Sequence, residues 1–230
     1  QGQRRIKTDE TYVIRGRDGR QISDRDTPDW LQNVAEIQQD FGTDISQLNL
    51  TTSLQQHSYD GDQVIFPGGY ASIFGALSGG YALRLSSPIS RITETDIGIT
   101  LSGNQMPDQT FDAVVVTLPL GVLKSNKVVF SPPLPQRKQD AIDRLGFGLL
   151  DKVYLQFDTP FWDVDETWIL TPENDLPQGQ FNQWLNLYKY LKLPIILGFN
   201  GGPPAHALAG LSDTEMVARA MQTLHLAYPE

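Results

Sequence analysis

The stretch "LGFGLLDKVYLQFDTPFW", residues 145–162, joins a glycine-rich apolar turn to a run that alternates like a β-strand, and the rest of the chain is read outward from it. With the strand beginning at Asp151, Val153, Leu155 and Phe157 share one face while Lys152, Tyr154 and Gln156 share the other. Lys152 therefore leaves the apolar face. A lysine so placed is ordinarily a solvated residue on the polar side of a half-buried strand, and alternation alone says no more than that.

Further strand candidates follow, in "TWILTP", "QFNQWLNLYKY" and "LPIILGFNGG", each broken by proline, glycine or a polar turn. A closing helix starts at a capping box of Ser212 with Glu215 and would bury Met216, Val217, Ala220 and Leu224. Toward the N-terminus, Thr27-Pro28-Asp29 open a helix that would place Trp30, Leu31, Val34, Ile37 and Phe41 on one face until Gly42. Between these parts, "VIFPGG" reads as a short strand and turn, "YASIFGAL" as a short helix, and "YALRLSSPISRITETDIGITLSG" as two or three strands. Ala113 to Leu118 is a continuous, β-branched apolar run that suits a strand covered on both faces, as in a parallel sheet. It stops at Pro119, so Thr117, Leu118 and Pro119 stand where ligands gather beyond strand ends; a buried strand ending in a turn requires the same residues. Then "SPPLPQRKQDAIDRL" gives a proline-rich connector and a helix with Pro135 in its first turn and Ala141, Ile142 and Leu145 turned inward. Interleaved strands and helices of this kind predict an α+β (α/β) fold, a mixed sheet with flanking helices.

The 230 residues are 40% hydrophobic and 10% aromatic, enough for an ordinary buried core. Eighteen Lys and Arg against 27 Asp and Glu leave a net charge of −9, which disfavours nucleic acid and suits a cationic substrate or partner. The absence of cysteine excludes disulfides and thiolate chemistry within these residues. No apolar run reaches 18 residues and no signal-peptide profile occurs, so the expectation is a soluble piece with no membrane segment and no address of its own. His57, His206 and His225 lie far apart without metal-ligand spacing, and no metal site is expected. There is no nucleophile elbow and no phosphate-cradling Gly-x-x-x-x-Gly-Lys loop. Gly146-Phe147-Gly148 precedes a strand instead of following one, and reads as a turn.

Residues 64–200 together resemble the flavin-containing amine oxidases, the family of polyamine oxidases, monoamine oxidases and flavin-dependent histone lysine demethylases. Three blocks carry the likeness: "YDGDQVIFPGGYASIFGAL", "FDAVVVTLPLGVLKSNKVVFSPPLPQRKQDAIDRLGFGLLDKVYLQFDTPFW" and "WLNLYKYLKLPIILGFNGG". The resemblance implies that Lys152 faces the flavin ring of FAD and holds a water near its N5 atom, where either protonation state of a lysine can orient a water. It implies that Ile89 contacts the adenosine side through its backbone and that Thr117, Leu118 and Pro119 line the cofactor. Trp162, Trp184 and Tyr188 are its aromatic candidates for the substrate side, though large aromatics are as often plain core.

The family's Gly-x-Gly-x-x-Gly turn for the FAD pyrophosphate does not occur in these residues. The resemblance therefore implies an internal piece of a larger enzyme: 1–63 the helical part of a substrate domain, 64–130 the middle of an FAD-binding domain, and 131–230 the substrate-domain sheet and helix. The parent would oxidise a carbon–nitrogen bond of an amine, polyamines favoured, with O2 as acceptor and hydrogen peroxide as product. The chain alone is expected to retain FAD poorly and to be inactive. A related FAD oxidoreductase, desaturase-like or porphyrinogen-oxidase-like, and a non-catalytic binding module of the same fold are the alternatives.

Overall fold

The structure is a computed structural model that describes residues 4–49, 51, 60–77 and 79–229; His57 lies outside them. The chain divides into two compact units, residues 1–73 with 148–230, and residues 74–147.

The first unit is built on a five-stranded sheet in the order β2-β9-β10-β11-β8, formed by Tyr12–Ile14, Trp168–Leu170, Gln183–Asn186, Ile195–Gly201 and Leu150–Gln156. β2 runs parallel to β9 and every other pairing is antiparallel. A two-stranded ribbon of β1 (Ile6–Lys7) and β3 (Val64–Ile65) completes its strands. One face of the large sheet is dry. Val13, Ile169, Trp184, Ile196 and Leu155 pack there with Leu208, Ala220 and Leu224 of the helices that follow β11. The last helix, Asp213–Ala227, has the capping box read from Ser212 and Glu215, and both of its reciprocal hydrogen bonds form. Its buried stripe is Ala220, Thr223, Leu224 and Ala227, while Val217 is 42% exposed. The stripe lies toward the C-terminal half, where the helix meets the sheet core, so Val217 turns to solvent.

The helix expected from residue 29 to 41, here α1, forms, but not as a plain α-helix. It is α over Asp29–Gln32, π over Asn33–Gln38, and α again over Gln39–Phe41, ending at Gly42 in the left-handed region. Leu31 and Val34 are buried as expected, and Gln39 joins them. The end of α1 touches the start of β8 through bare backbone. A Cβ on Gly148 would sit 2.0 Å from the Gly42 carbonyl oxygen, and one on Gly201 would sit 2.4 Å from that of Gln38. The Leu149 amide donates to the Gly42 carbonyl at 3.2 Å. Gly148, the second glycine of the "LGFG" turn, is thus a contact point for the helix.

A second tie closes the unit. Arg15, just after β2, donates from Nε to Asp163 Oδ2 at 2.8 Å and from Nη2 to Oδ1, while Tyr228 OH donates to Oδ2 at 2.6 Å. Burial works to raise the Asp163 carboxyl, but the Arg15 and Tyr228 hydrogen bonds and the Arg15 charge outweigh it and hold the carboxyl below its usual range. Burial and the adjacent Asp163 carboxylate push the Tyr228 phenol up.

The second unit is a four-stranded sheet in the order β6-β5-β4-β7, formed by Met106–Phe111, Gly98–Gly103, Arg91–Thr95 and Val129–Ser131, with β7 parallel to β4. Two helices, Leu120–Lys124 and Gln136–Arg144, belong to it, and Lys124 Nζ donates to the Asp143 carbonyl at 2.9 Å. Ala113–Leu118 is not a strand here. Among the described residues its backbone pairs with no neighbour, and Val115 is 86% exposed. The pattern specifies a strand, but an apolar run becomes one only when another strand offers the complementary ladder. Ala141 and Leu145 are likewise exposed, and only Ile142 of that expected inner face is buried. The overall class is α+β, mixed sheets with flanking helices.

Gly148→Ala is expected to lower stability by about 3 kcal/mol, because neither backbone at that contact can yield as a side chain would; urea unfolding of the two proteins measures it. Asp163→Asn is expected to cost about 2 kcal/mol at neutral pH, below the full cost of a buried orphan because the pair is partly solvated. The folded carboxyl is depressed, so its contribution is complete above the unfolded value and is lost as pH falls through the folded one. Thermal unfolding should therefore show the wild-type advantage closing toward low pH.

Candidate functional site

Register across the five-stranded sheet fixes what stands on its second face. Ile14 pairs with Leu170, Leu170 with Gln183, Gln183 with Phe199, and Phe199 with Lys152, so one row of side chains crosses all five strands. The neighbouring row is Tyr12, Trp168, Leu185, Leu197 and Tyr154. These rows form the floor of a cavity of about 720 Å³, lined by Tyr12, Ile14, Trp168, Leu170, Gln183 and Phe199 and roofed by α1.

The π stretch is what turns α1 into a roof. Leu31, Ala35 and Gln39 line the cavity beside Gln32, Glu36 and Asp40, two stripes with a spacing of four. An α-helix advances past a full turn every four residues and would carry such stripes off the face; a wider turn keeps them on it. The charge in the lining has one sign. Glu10, Asp24, Glu36 and Asp40 contribute carboxylates, and no lysine or arginine is among the described lining residues. Burial, then the charge of Glu36 one turn away, raise the Asp40 carboxyl above its usual range. Two polar atoms complete the picture: among the described residues, Gln39 Nε2 and Gln183 Oε1 are buried without a hydrogen-bond partner. An acid-rich, aromatic-floored cavity with unspent polar atoms can hold an elongated cation.

Lys152 stands at the end of the floor row on the exposed face of β8, its Nζ 5.2 Å from the centre of the Phe199 ring. The other candidates from the sequence lie elsewhere. Trp184 belongs to the dry face, fully buried, stacked on Phe181 and laid over Gly198, where a Cβ would meet its ring at 2.8 Å. Trp162 is buried in the same core and donates from Nε1 to Asn186 Oδ1 at 2.8 Å. Tyr188 packs against that core, its amide donating to the same Asn186 oxygen at 3.0 Å. None of these three lines the cavity; among the described residues the aromatics that do are Tyr12, Trp168 and Phe199. Neither these nor the Glu36 and Asp40 pair was singled out in the sequence. The spacing of four between the two acids is visible there, whereas Trp168 and Phe199 lie in runs apolar on both faces, where only pairing tells the sides apart.

In the second unit, Ile89 is half-buried at the entry to β4, and Thr117 and Pro119 are exposed with Leu118 half-buried between them. The Pro119 carbonyl accepts the Val122 amide at 2.9 Å and caps the helix that follows. These residues fit part of a dinucleotide cofactor: they offer an apolar edge and unpaired backbone along Ala113–Leu118. Among the described residues no group of three His, Cys, Asp or Glu could hold a metal ion, and no helix is long and apolar enough to cross a membrane.

Comparison with known proteins supplies the context. The polyamine oxidase 4 of Oryza sativa subsp. japonica is 32% identical over 197 residues, covering 86% of this chain and 40% of that protein. The lysine-specific histone demethylase 1 homolog 3 of Arabidopsis thaliana is 33% identical over 177 residues, 72% of this chain and 11% of its own length. The chain thus spans well under half of either relative. A putrescine oxidase structure with putrescine bound superposes with a TM-score of 0.58 over 73% of this chain and 36% of that one; at 22% identity this is a likeness of fold. The family described as flavin containing amine oxidoreductase matches residues 10–230, and that family implies FAD in the parent protein. A match over nearly the whole length, including both units and the strand that carries Lys152, is more than a shared fold: the chain belongs to the flavin containing amine oxidoreductase family.

Proposed function

We propose that this chain supplies the amine-binding cavity and the flavin-facing lysine of an FAD-dependent oxidase whose substrate carries more than one positive charge. The carboxylate-lined cavity over the β2-β9-β10-β11-β8 floor is the observation that carries the reading. In the assignment, residues 1–63 and 131–230 belong to the substrate domain and residues 64–130 to the FAD domain, with Ile89, Thr117, Leu118 and Pro119 toward the cofactor. FAD, toward which Ile89, Thr117, Leu118 and Pro119 would lie, would supply hydride acceptance from the carbon that bears the nitrogen and electron delivery to O2, so that the amine would end as an imine that water hydrolyses and O2 as hydrogen peroxide.

The chain's own residues do the rest. Glu36 and Asp40 attract the charged end of the substrate that does not react, and the aromatic floor takes up its methylene chain. Binding a cation there relieves two carboxylates that otherwise repel each other, which favours a polycationic over a neutral amine. Lys152 holds a water at the reacting end with its free N–H donors. A lysine side chain on a basic peptide is the second reading, favoured by the similarity to histone demethylase homologs, since the same acids would accept it.

In the full-length flavin-loaded enzyme, Lys152→Met should slow flavin reoxidation by O2 about 100-fold in stopped-flow absorbance, the scale of a lost proton-handling group. Unchanged rates of both reduction and reoxidation would remove the lysine from the site. Asp40→Asn should raise the KM for spermidine about tenfold, with kcat within about twofold, and leave that for benzylamine unchanged. The same substitution should raise the melting temperature at neutral pH, because the folded carboxyl is raised and its ionised form opposes folding. Peroxide release with spermidine against a dimethyl-lysine peptide separates the two substrate readings.

A further inference from the structure

We propose that Phe199 is the positioning residue for Lys152, holding its ammonium over a ring face so that its N–H donors stay free. This rests on the reading of Lys152 as the flavin-facing residue.

Two other lysines of the chain, each held by oxygen atoms, give the contrast, while Lys192 Nζ lies over the Tyr188 ring at the same 5.2 Å. Lys189 Nζ is held by Asp9 Oδ1 and Thr11 Oγ1, each at 2.8 Å, and Lys124 Nζ by the Asp143 carbonyl at 2.9 Å. Lys152 has neither a hydrogen bond nor an ion pair among the described residues; its contact is the Phe199 ring, 5.2 Å from Nζ to the centroid. The two residues are directly paired between β8 and β11, so the ring is set beside the lysine stem by the sheet itself.

The ring is in turn fixed. Phe199 is only 8% exposed, and it tilts against Trp168 with centroids 5.6 Å apart. Trp168 is anchored by Nε1 donating to Glu10 Oε2 at 3.2 Å. A line of support thus runs from Glu10 through Trp168 and Phe199 to Lys152. An oxygen partner would orient the lysine more strongly, but it would consume an N–H donor and place a negative charge beside the reacting centre. The ring attracts the cation through its quadrupole, leaving donors on the far side for a water. It also narrows the rotamers of a long stem.

The contact itself is read in the 230-residue chain without cofactor, labelled with carbon-13 at the lysine Cε. The Lys152 ε-CH2 protons, assigned by their loss in Lys152→Met, should be shifted upfield by the ring; Phe199→Leu should abolish the shift and Phe199→Tyr should retain it. An unchanged signal in Phe199→Leu overturns the proposal. The positioning role is read in the full-length flavin-loaded enzyme by a double-mutant cycle. Phe199→Leu should slow flavin reoxidation about fivefold and add nothing in the Lys152→Met background. Pentafluorophenylalanine at position 199, which keeps the ring's shape and reverses its quadrupole, should slow reoxidation as leucine does. Additive effects, or no effect of the fluorinated ring, would make Phe199 a packing residue only. An inert Lys152→Met would instead defeat the reading of the lysine, and the catalytic half of this proposal with it, while the proton shifts still decide whether the contact exists.

Discussion

The cavity depends on a helix whose C-terminal end meets its neighbours backbone to backbone. At the end of α1 the Gly42 carbonyl and the Gly148 backbone are so close that a single added carbon would overlap the oxygen. That contact sets the height and angle of the roof above the floor rows. Side-chain packing would tolerate a range of helix positions, since rotamers adjust; backbone against backbone does not. The left-handed turn at Gly42 releases the chain immediately after the contact, so the helix cannot run on and close the space. Placement of the acidic stripes over the floor follows from that contact, while strand register places the aromatic floor and the lysine.

The electrostatics of the cavity run against stability. Glu36 and Asp40 share a helix face with no cation among the described lining residues; Glu36 accepts from Gln32 Nε2 at 3.2 Å, and burial raises the Asp40 carboxyl. Elsewhere the same unit handles its charges conventionally: Asp163 has Arg15 and Tyr228, and Asp9 has Lys189, Thr11 and Thr167. A pair of acids without a cationic partner, in a unit that can build such networks, is what a site for a cationic ligand looks like, because the ligand supplies the missing charge. The orphaned Gln39 and Gln183 atoms in the same lining point the same way.

Much of the architecture was legible in the sequence, and the misses have physical causes. The period of two in Asp151–Gln156 put Lys152 on the correct side of its strand, because one face of that strand is dry and the other open. The capping box of the last helix was legible for a local reason, since Ser212 and Glu215 satisfy each other. The π stretch in α1 left no mark, as its apolar residues keep α-like spacing. Ala113–Leu118 has the composition of a strand, yet pairing depends on a partner that composition does not reveal. The aromatics of the cavity floor were not legible for a related reason. Trp184 and Trp168 both sit in short strands beside an apolar neighbour, and the register with Gly198 and Leu185 assigns them to opposite faces.

That opposition explains how one sheet serves two ends. The dry face carries Trp184 over Gly198, and Asn186 binds the 162–167 loop by accepting from Trp162 and donating to the carbonyls of Asp163, Val164 and Glu166. Each of those groups is satisfied and fully packed, so the face leaves little freedom for substitution. The cavity face needs no such closure: its side chains project from a backbone whose position is already fixed from behind. Residues such as Gln183, Trp168 and Asp40 can therefore be set by what the cavity must hold instead of by what the fold must bury. Pairing a rigid back with an open front is how a sheet of this size keeps Lys152 in register with Phe199 while the front stays polar, charged and incompletely satisfied.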